Sequence, residues 1–240
     1  MAVYNSYTGL NPSQAYLILS SAVTTSTPLT IVGWCNATTT GVIGSINAGP
    51  GTGGTDCWSL VINGTGNAAA DVKRGIAQSS AESTGVAGDG SWHHLAAVFA
   101  SSTSRTVYLD GVAGAQDTAN IDPGASGLLN QTTLYSRYIG LSTSYIDTLS
   151  GCVKDVAIYS AALSSDDIAL LAAGSTPDEV QPGSLIFYAP LTNNASKTDN
   201  TVGTDLTVVG EAYFSTCTDP PATNPDIALS AGGQYTRIYG

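Results

Sequence analysis

Apolar residues along this chain come in short runs broken by Gly, Pro, Ser, Thr and Asn, the spacing of strands rather than helices. In PLTIVGWCN (28–36), Leu29, Ile31, Gly33 and Cys35 alternate with Thr30, Val32, Trp34 and Asn36. Both sets are partly apolar, which predicts a strand covered on both faces. GVIGSI (41–46) and CWSLVI (57–62) flank NAGPGTGGTD, whose glycine pairs and proline predict a long hairpin loop. That loop is not a phosphate cradle, because the GxxxxGK(S/T) pattern is missing. SWHHLAAVF (91–99) and TVYLDG (106–111) read as an antiparallel hairpin, placed at the centre of the sheet, with Asp110-Gly111 ending its second strand. TTLYSRYIG (132–140), GCVKDVAIY (151–159) and SLIFYAPL (184–191) continue the series. Strict alternation in GCVKDVAIY puts Cys152, Lys154, Val156 and Ile158 on one side and Val153, Asp155, Ala157 and Tyr159 on the other. With DLTVVGEAYF (205–214), about three strands are expected beyond residue 183.

One segment has helical signals. In ALSSDDIALLAAG (162–174), Ser164 is an N-cap with Asp167 three residues on, and Leu163 and Ile168 hold the hydrophobic-staple positions. Asp166 and Asp167 suit the positive helix end, and Gly174 closes the other. A single short helix near 164–173 argues against a βαβ scaffold. The expected class is all-β.

Composition narrows the partners. Only 10% of residues are charged, against about 25% in an ordinary soluble domain, while 42% are hydrophobic, which opposes disorder. Seven Lys and Arg, with only Lys73 and Arg74 adjacent and a net charge of -11, cannot neutralise many phosphates, so nucleic acid is excluded as a partner. No apolar stretch is long enough for a membrane-spanning helix. The start lacks a basic, apolar leader pattern, and synthesis in a host cytoplasm is the expectation. Cys35, Cys57, Cys152 and Cys217 lack zinc-type spacing; buried thiols are expected for Cys35 and Cys152, with one or two disulfides left open.

Several ordered segments resemble the laminin G-like and pentraxin-like domains of the concanavalin A-like lectin/glucanase superfamily. Trp92, His93 and His94 begin one family strand, and Tyr108, Asp110 and Gly111 end the next. Gly151, Val153, Asp155, Val156, Ile158 and Tyr159 follow the pattern G-x-(I/V)-x-(D/E)-(V/I)-x-(I/V/L)-(Y/W), and Ala162, Leu163 and Ser164 open the helix. PLTIVGWCNA is similar to the earlier family strand, with Leu29 where Phe is common. The resemblance covers about residues 14–173 and implies a jelly-roll sandwich of two antiparallel sheets over residues 1–174. Residues 175–240 are expected to be a linker and strands packed back as part of one unit.

The fold does not fix the activity. Glucanases of this superfamily carry E-x-D-x-x-E on one strand; here Glu occurs only at 82, 179 and 211, so no enzyme is expected. His93 and His94 face opposite ways on a strand and cannot cooperate. The resemblance implies calcium as a possible cofactor, with Asp110, Asp117, Asn120 and Asp122 as oxygen donors. Glycan contacts are assigned to Tyr135, Tyr138 and Tyr145; Trp34 and Trp92 sit where the family buries them. The first 55 residues carry no charged side chain, and Tyr4, Tyr7, Leu10 and Tyr16 are assigned to docking on neighbouring subunits, with the alternative that residues 1–14 form a first strand or lie on their own sandwich. The linker residues Ala172, Ala173, Gly174, Pro177, Val180 and Pro182, with Tyr188, Pro190 and Leu191, resemble those of phage and viral surface proteins. The leading expectation is therefore a non-enzymatic, oligomeric virion-surface protein, such as a capsid decoration or cement protein. The alternative is a glycan-binding lectin module, extracellular or at a cell surface.

Overall fold

A computed structural model describes residues 2–5, 15–138, 145–193, 200–209, 214–220, 227–229 and 235–237. Its strands are β1 (Ala2–Asn5), β2 (Tyr16–Leu19), β3 (Leu29–Ala37), β4 (Gly41–Asn47), β5 (Cys57–Ile62), β6 (Asn67–Arg74), β7 (Ala77–Val86), β8 (Trp92–Ser101), β9 (Ser104–Leu109) and β10 (Val112–Ala113). These are followed by β11 (Gln131–Leu134), β12 (Arg137–Tyr138), β13 (Tyr145–Ile146), β14 (Gly151–Tyr159), the helix α1 (Ser165–Ala172), β15 (Leu185–Ala189), β16 (Thr207–Val209), β17 (Phe214–Cys217), β18 (Ile227–Leu229) and β19 (Tyr235–Arg237).

Two antiparallel sheets form the sandwich that the resemblance implies. One has the order β10-β9-β8-β3-β14-β1-β17, with β15 also pairing with β14; the other runs β16-β2-β11-β4-β5-β6-β7. Their inner faces share one core that includes Ile31, Cys35, Ile46, Trp58, Leu60, Leu95, Phe99 and Val153. The hairpin of β8 and β9 lies toward one edge of its sheet, and β3 and β14 take the centre. This corrects the central placement expected for residues 91–111: β3, covered on both faces, accepts β8 on one side and β14 on the other.

Strict alternation fails in β14. Lys154 pairs with Trp34, and the next paired residue, Ala157, meets Val32, so β14 spends one extra residue there. Asp155 absorbs it with a left-handed φ of 51°. Val153, Val156 and Ile158 therefore all enter the main core, while Ala157 and Tyr159 turn to a second apolar cluster under the helix.

Helix α1 ends as its sequence dictates. The Ser164 hydroxyl accepts from the Asp167 N–H, and the Asp167 carboxylate accepts from the Ser164 N–H, a complete capping box. At the other end, Gly174, at φ 101°, donates to Leu171 O and Ser175 donates to Leu170 O. Ile168 and Leu171 face Val32, Ala96 and Tyr159. Each buried side chain of this kind contributes about 1.5–3 kcal/mol.

Beyond residue 183 the described residues form five strands, not three, because DLTVVGEAYF divides and Ile227–Leu229 pairs with Tyr235–Arg237 as a further two. Thr207–Val209 pairs with β2, whereas Phe214–Cys217 pairs with β1 in the opposite sheet. Phe187, Leu206 and Phe214 reach the main core. The same topology corrects the thiol assignment of Cys152: with β1 lying between β14 and β17, Cys152 and Cys217 come to a Cα separation of 6.4 Å and form a disulfide. Cys35 and Cys57 are buried free thiols.

Candidate functional site

The outward face of the second sheet carries a concentration of buried polar residues, among them Ser45, Asn47, Ser59, Asp71, Gln131 and Thr133. Along β5, Trp58, Leu60 and Ile62 point into the core, which sends Cys57, Ser59 and Val61 outward. Part of this outward face is closed. After β11 the chain turns at Tyr135, φ 68°, and β12 pairs with β13. Between β11, β4 and β5 lies a buried polar network. Asn47 accepts from Gln131 Nε2 and donates to Thr133 Oγ1 at 2.8 Å and Ser45 Oγ at 3.2 Å. Ser45 and Ser59 hydroxyls meet at 2.8 Å, and Thr133 donates to Ser136 O at 2.6 Å. Buried polar groups persist only when paired in this way, and the network fixes the sheet against slipping.

The rest of the face is open. A groove of about 510 Å³ lies over β5, β6 and β7, lined by Val61 and Ala69 and by the polar side chains of Asn63, Gln78, Ser80 and Glu82. Val61 and Ala69 pack with Val42 as a small apolar floor. Arg137, Asp71 and Asp147 complete the lining. The guanidinium donates through Nη1 to Asp71 Oδ2 and through Nε to Asp147 Oδ2 at 2.8 Å, and Nη1 stands 3.7 Å from Cys57 Sγ. Arg137 and Asp71 are only 11% and 6% exposed, whereas Asp147 is 41% exposed. Burial alone lowers the guanidinium pKa; the neighbouring Cys57, Asp71 and Asp147 outweigh it, and the net direction is upward. Asp147 has a left-handed φ of 53°, and its carbonyl accepts from Val42 N at 2.9 Å, which pins this turn to β4.

The structure redistributes the residues singled out in the sequence. Tyr135 is fully buried, its hydroxyl on Val3 O and its ring edge-on to Phe214, so it is a core residue and no sugar platform. Tyr138 and Tyr16 are 6% and 7% exposed and lie in one apolar cluster with Ile18 and Val209. Neither a glycan contact at Tyr138 nor a docking contact at Tyr16 survives that burial. Tyr135 and Tyr138 are buried because residues 131–138 form not one strand but two short ones separated by a tight turn. Tyr4 lies in β1 and Tyr145 in β13, opposite Tyr138, but their side chains fall outside the described residues, as do Tyr7 and Leu10 entirely.

Of the four candidate calcium donors, Asp110, Asp117 and Asp122 make hydrogen bonds within the chain. Asp110 holds His93 Nδ1 at 2.7 Å and the His94 N–H at 2.9 Å; Asp117 pairs with the buried Arg105; Asp122 accepts from Gly124 N at 3.1 Å. Asn120 is exposed. Among the described residues no three His, Cys, Asp or Glu side chains group as metal ligands. His93 bridges Asp110 and Asp89, and the hydrogen bond to Asp110 raises its pKa. His94 is buried edge-on to Trp34, and burial lowers its pKa to about 4. Trp34 and Trp92 are half-buried rather than buried, and Trp58 is a core residue.

Asp71, Arg137 and Asp147 escaped the sequence reading. The usable signal was a lone acid at an outward position of an apolar strand, AAADVK, and a lone Arg in an uncharged run.

A sequence-family profile described as the concanavalin A-like lectin/glucanases superfamily matches residues 11–169. No curated protein matches the chain. Among solved structures, the fold is similar to a native heptameric SAP-like pentraxin from Limulus polyphemus, with 14% identity, coverage of 73% of this chain and 83% of that one, and a TM-score of 0.53. It is also similar to the Ruminococcus gnavus IT-sialidase CBM40 bound to α2,3 sialyllactose, at 12% identity, 68% and 94% coverage and a TM-score of 0.52. Domain 4 of an extracellular GH43 arabinanase from Geobacillus stearothermophilus, in complex with arabinotriose, gives 17% identity, 72% and 81% coverage and a TM-score of 0.52. At these identities the likeness concerns the fold, a two-sheet jelly roll with one short helix. Profile and sandwich agree, and the chain belongs to the concanavalin A-like lectin/glucanases superfamily.

Proposed function

We propose that the protein is a non-catalytic carbohydrate-binding module and that the groove over β5–β7 receives the sugar. The observation that carries this reading is the groove itself: a concave, half-open site on a rigid sheet, with an apolar floor and convergent amide, hydroxyl and carboxylate groups. Sugars offer small apolar faces edged by hydroxyls; Gln78 and Ser80 can both donate to and accept from them, and Asn63, whose Oδ1 is taken by Thr65 and Asn67, can donate. Two proteins of similar fold are described with bound oligosaccharides, which adds support. The virion-surface reading retains only its sequence motifs in the linker and tail. The test is titration of the full chain against an oligosaccharide array, followed by Gln78→Ala/Ser80→Ala. Saturable binding that this variant weakens about ten-fold or more at an unchanged melting temperature is expected; a silent array overturns the proposal.

A further inference from the structure

The groove has an unusual charge inventory for a site built around an arginine. Its lining holds three carboxylates, Asp71, Glu82 and Asp147, and one cation, Arg137. An arginine in a sugar site commonly suggests recognition of a ligand carboxylate, because its planar fork matches that group. Here two of the fork's three nitrogens are already committed. Nη1 is held by Asp71 and Nε by Asp147, and the side chain is 11% exposed. A ligand carboxylate could take the Nε edge of Arg137 only by displacing Asp147, and a contact through Nη2 alone would set it beside both Asp71 and Asp147. Displacing Asp71, 6% exposed, would strand a buried carboxylate, which is strongly unfavourable. Displacing Asp147 would leave it beside the incoming anion. Glu82, exposed and without an ion pair among the described residues, adds a further uncompensated negative charge to the wall.

Resting on the carbohydrate reading above, we propose that the groove selects glycans without negative charge, neutral or amine-bearing, and rejects sialic and uronic acids. Arg137 is then a positioning residue. It holds Asp71 and Asp147 with their remaining lone pairs free to accept from sugar hydroxyls or an ammonium group. The chain's overall charge of -11 acts in the same direction at longer range.

The experiment compares four classes on one array and then in solution: neutral oligosaccharides such as lactose and arabinotriose, their sialylated counterparts, uronate-containing oligomers, and glucosamine oligomers with free amines. Two variants accompany the native chain, Glu82→Gln and Asp147→Asn, both at exposed acids. Neutral or amine-bearing ligands should bind at least about ten-fold more tightly than anionic ones, with added salt weakening the amine-bearing class most. Each variant should narrow that ratio several-fold, and Asp147→Asn, by freeing Arg137 Nε, should gain affinity for sialylated ligands. Equal or tighter binding of anionic glycans overturns the charge selection while leaving the carbohydrate reading in place. A preference that neither variant narrows also overturns it, since the discrimination would then have another source. Silence of the whole array overturns both.

Discussion

Tyr135 donates its hydroxyl to the carbonyl oxygen of Val3 at 2.7 Å, tying the turn after β11 to the N-terminal strand through the interior of the sandwich. Both residues are fully buried. Tyr135→Phe keeps the ring and removes only the donor, which leaves a buried carbonyl short of a partner. Urea unfolding should show a loss of about 1–2 kcal/mol, and glycan binding should be unchanged because the ring does not line the groove.

Stability should pass through a maximum near pH 6.5. The hydrogen bond to Asp110 raises the pKa of His93 above its ordinary 6.5, so its contribution is full below that pH and is lost as pH rises through the folded value. His94 acts in the opposite sense. Burial lowers its pKa to about 4, so the unfolded chain binds more protons between about 4 and 6.5 and stability falls as pH drops through that window. Melting temperatures from pH 4 to 9 check this, and His93→Gln should flatten the alkaline limb alone.

The disulfide between Cys152 and Cys217 closes a sequence separation of 65 residues. Reduction should lower stability by about 2–4 kcal/mol. The Cys152→Ser/Cys217→Ser variant should show a similar loss and no further response to reductant, read by thermal unfolding with and without a phosphine.

Removing the Ser164 hydroxyl breaks one half of the capping box at α1. Ser164→Ala should cost about 1 kcal/mol, with the loss appearing in the cluster beneath the helix. Hydrogen exchange at Ile168 and Leu171 should accelerate before exchange in β3 does.

What the sequence made legible follows from range. β3 and β14, the β8–β9 hairpin and the capped helix are written in period, turn residues and caps, each contained within a few positions. The bulge at Asp155 was hidden because one extra residue reverses every later side chain while leaving the composition untouched. Tyr135 and Tyr138 read as exposed aromatics because a left-handed Tyr inside TTLYSRYIG carries no local signal. Asp71, Arg137 and Asp147 come from three separate segments, and only the pairing of strands brings them together. The cysteine pair was unreadable for the same reason, since β1 must first lie between β14 and β17.

The order of strands in the two sheets also sets a timetable for synthesis. β4 to β7 form a meander in which each strand pairs with the next, and these contacts are available as soon as residue 86 is made. The centre of the opposite sheet must wait, because Ala37 pairs with Gly151 and Thr30 with Tyr159. Until β8 and β9 follow, the inward face of the meander, with Trp58, Leu60 and Ile62, lacks most of the surface that covers it. A chain stalled on the ribosome before residue 92 would present a nearly finished half of the groove on one side and an uncovered apolar sheet on the other. That interval is when the nascent protein is most prone to associate with other chains.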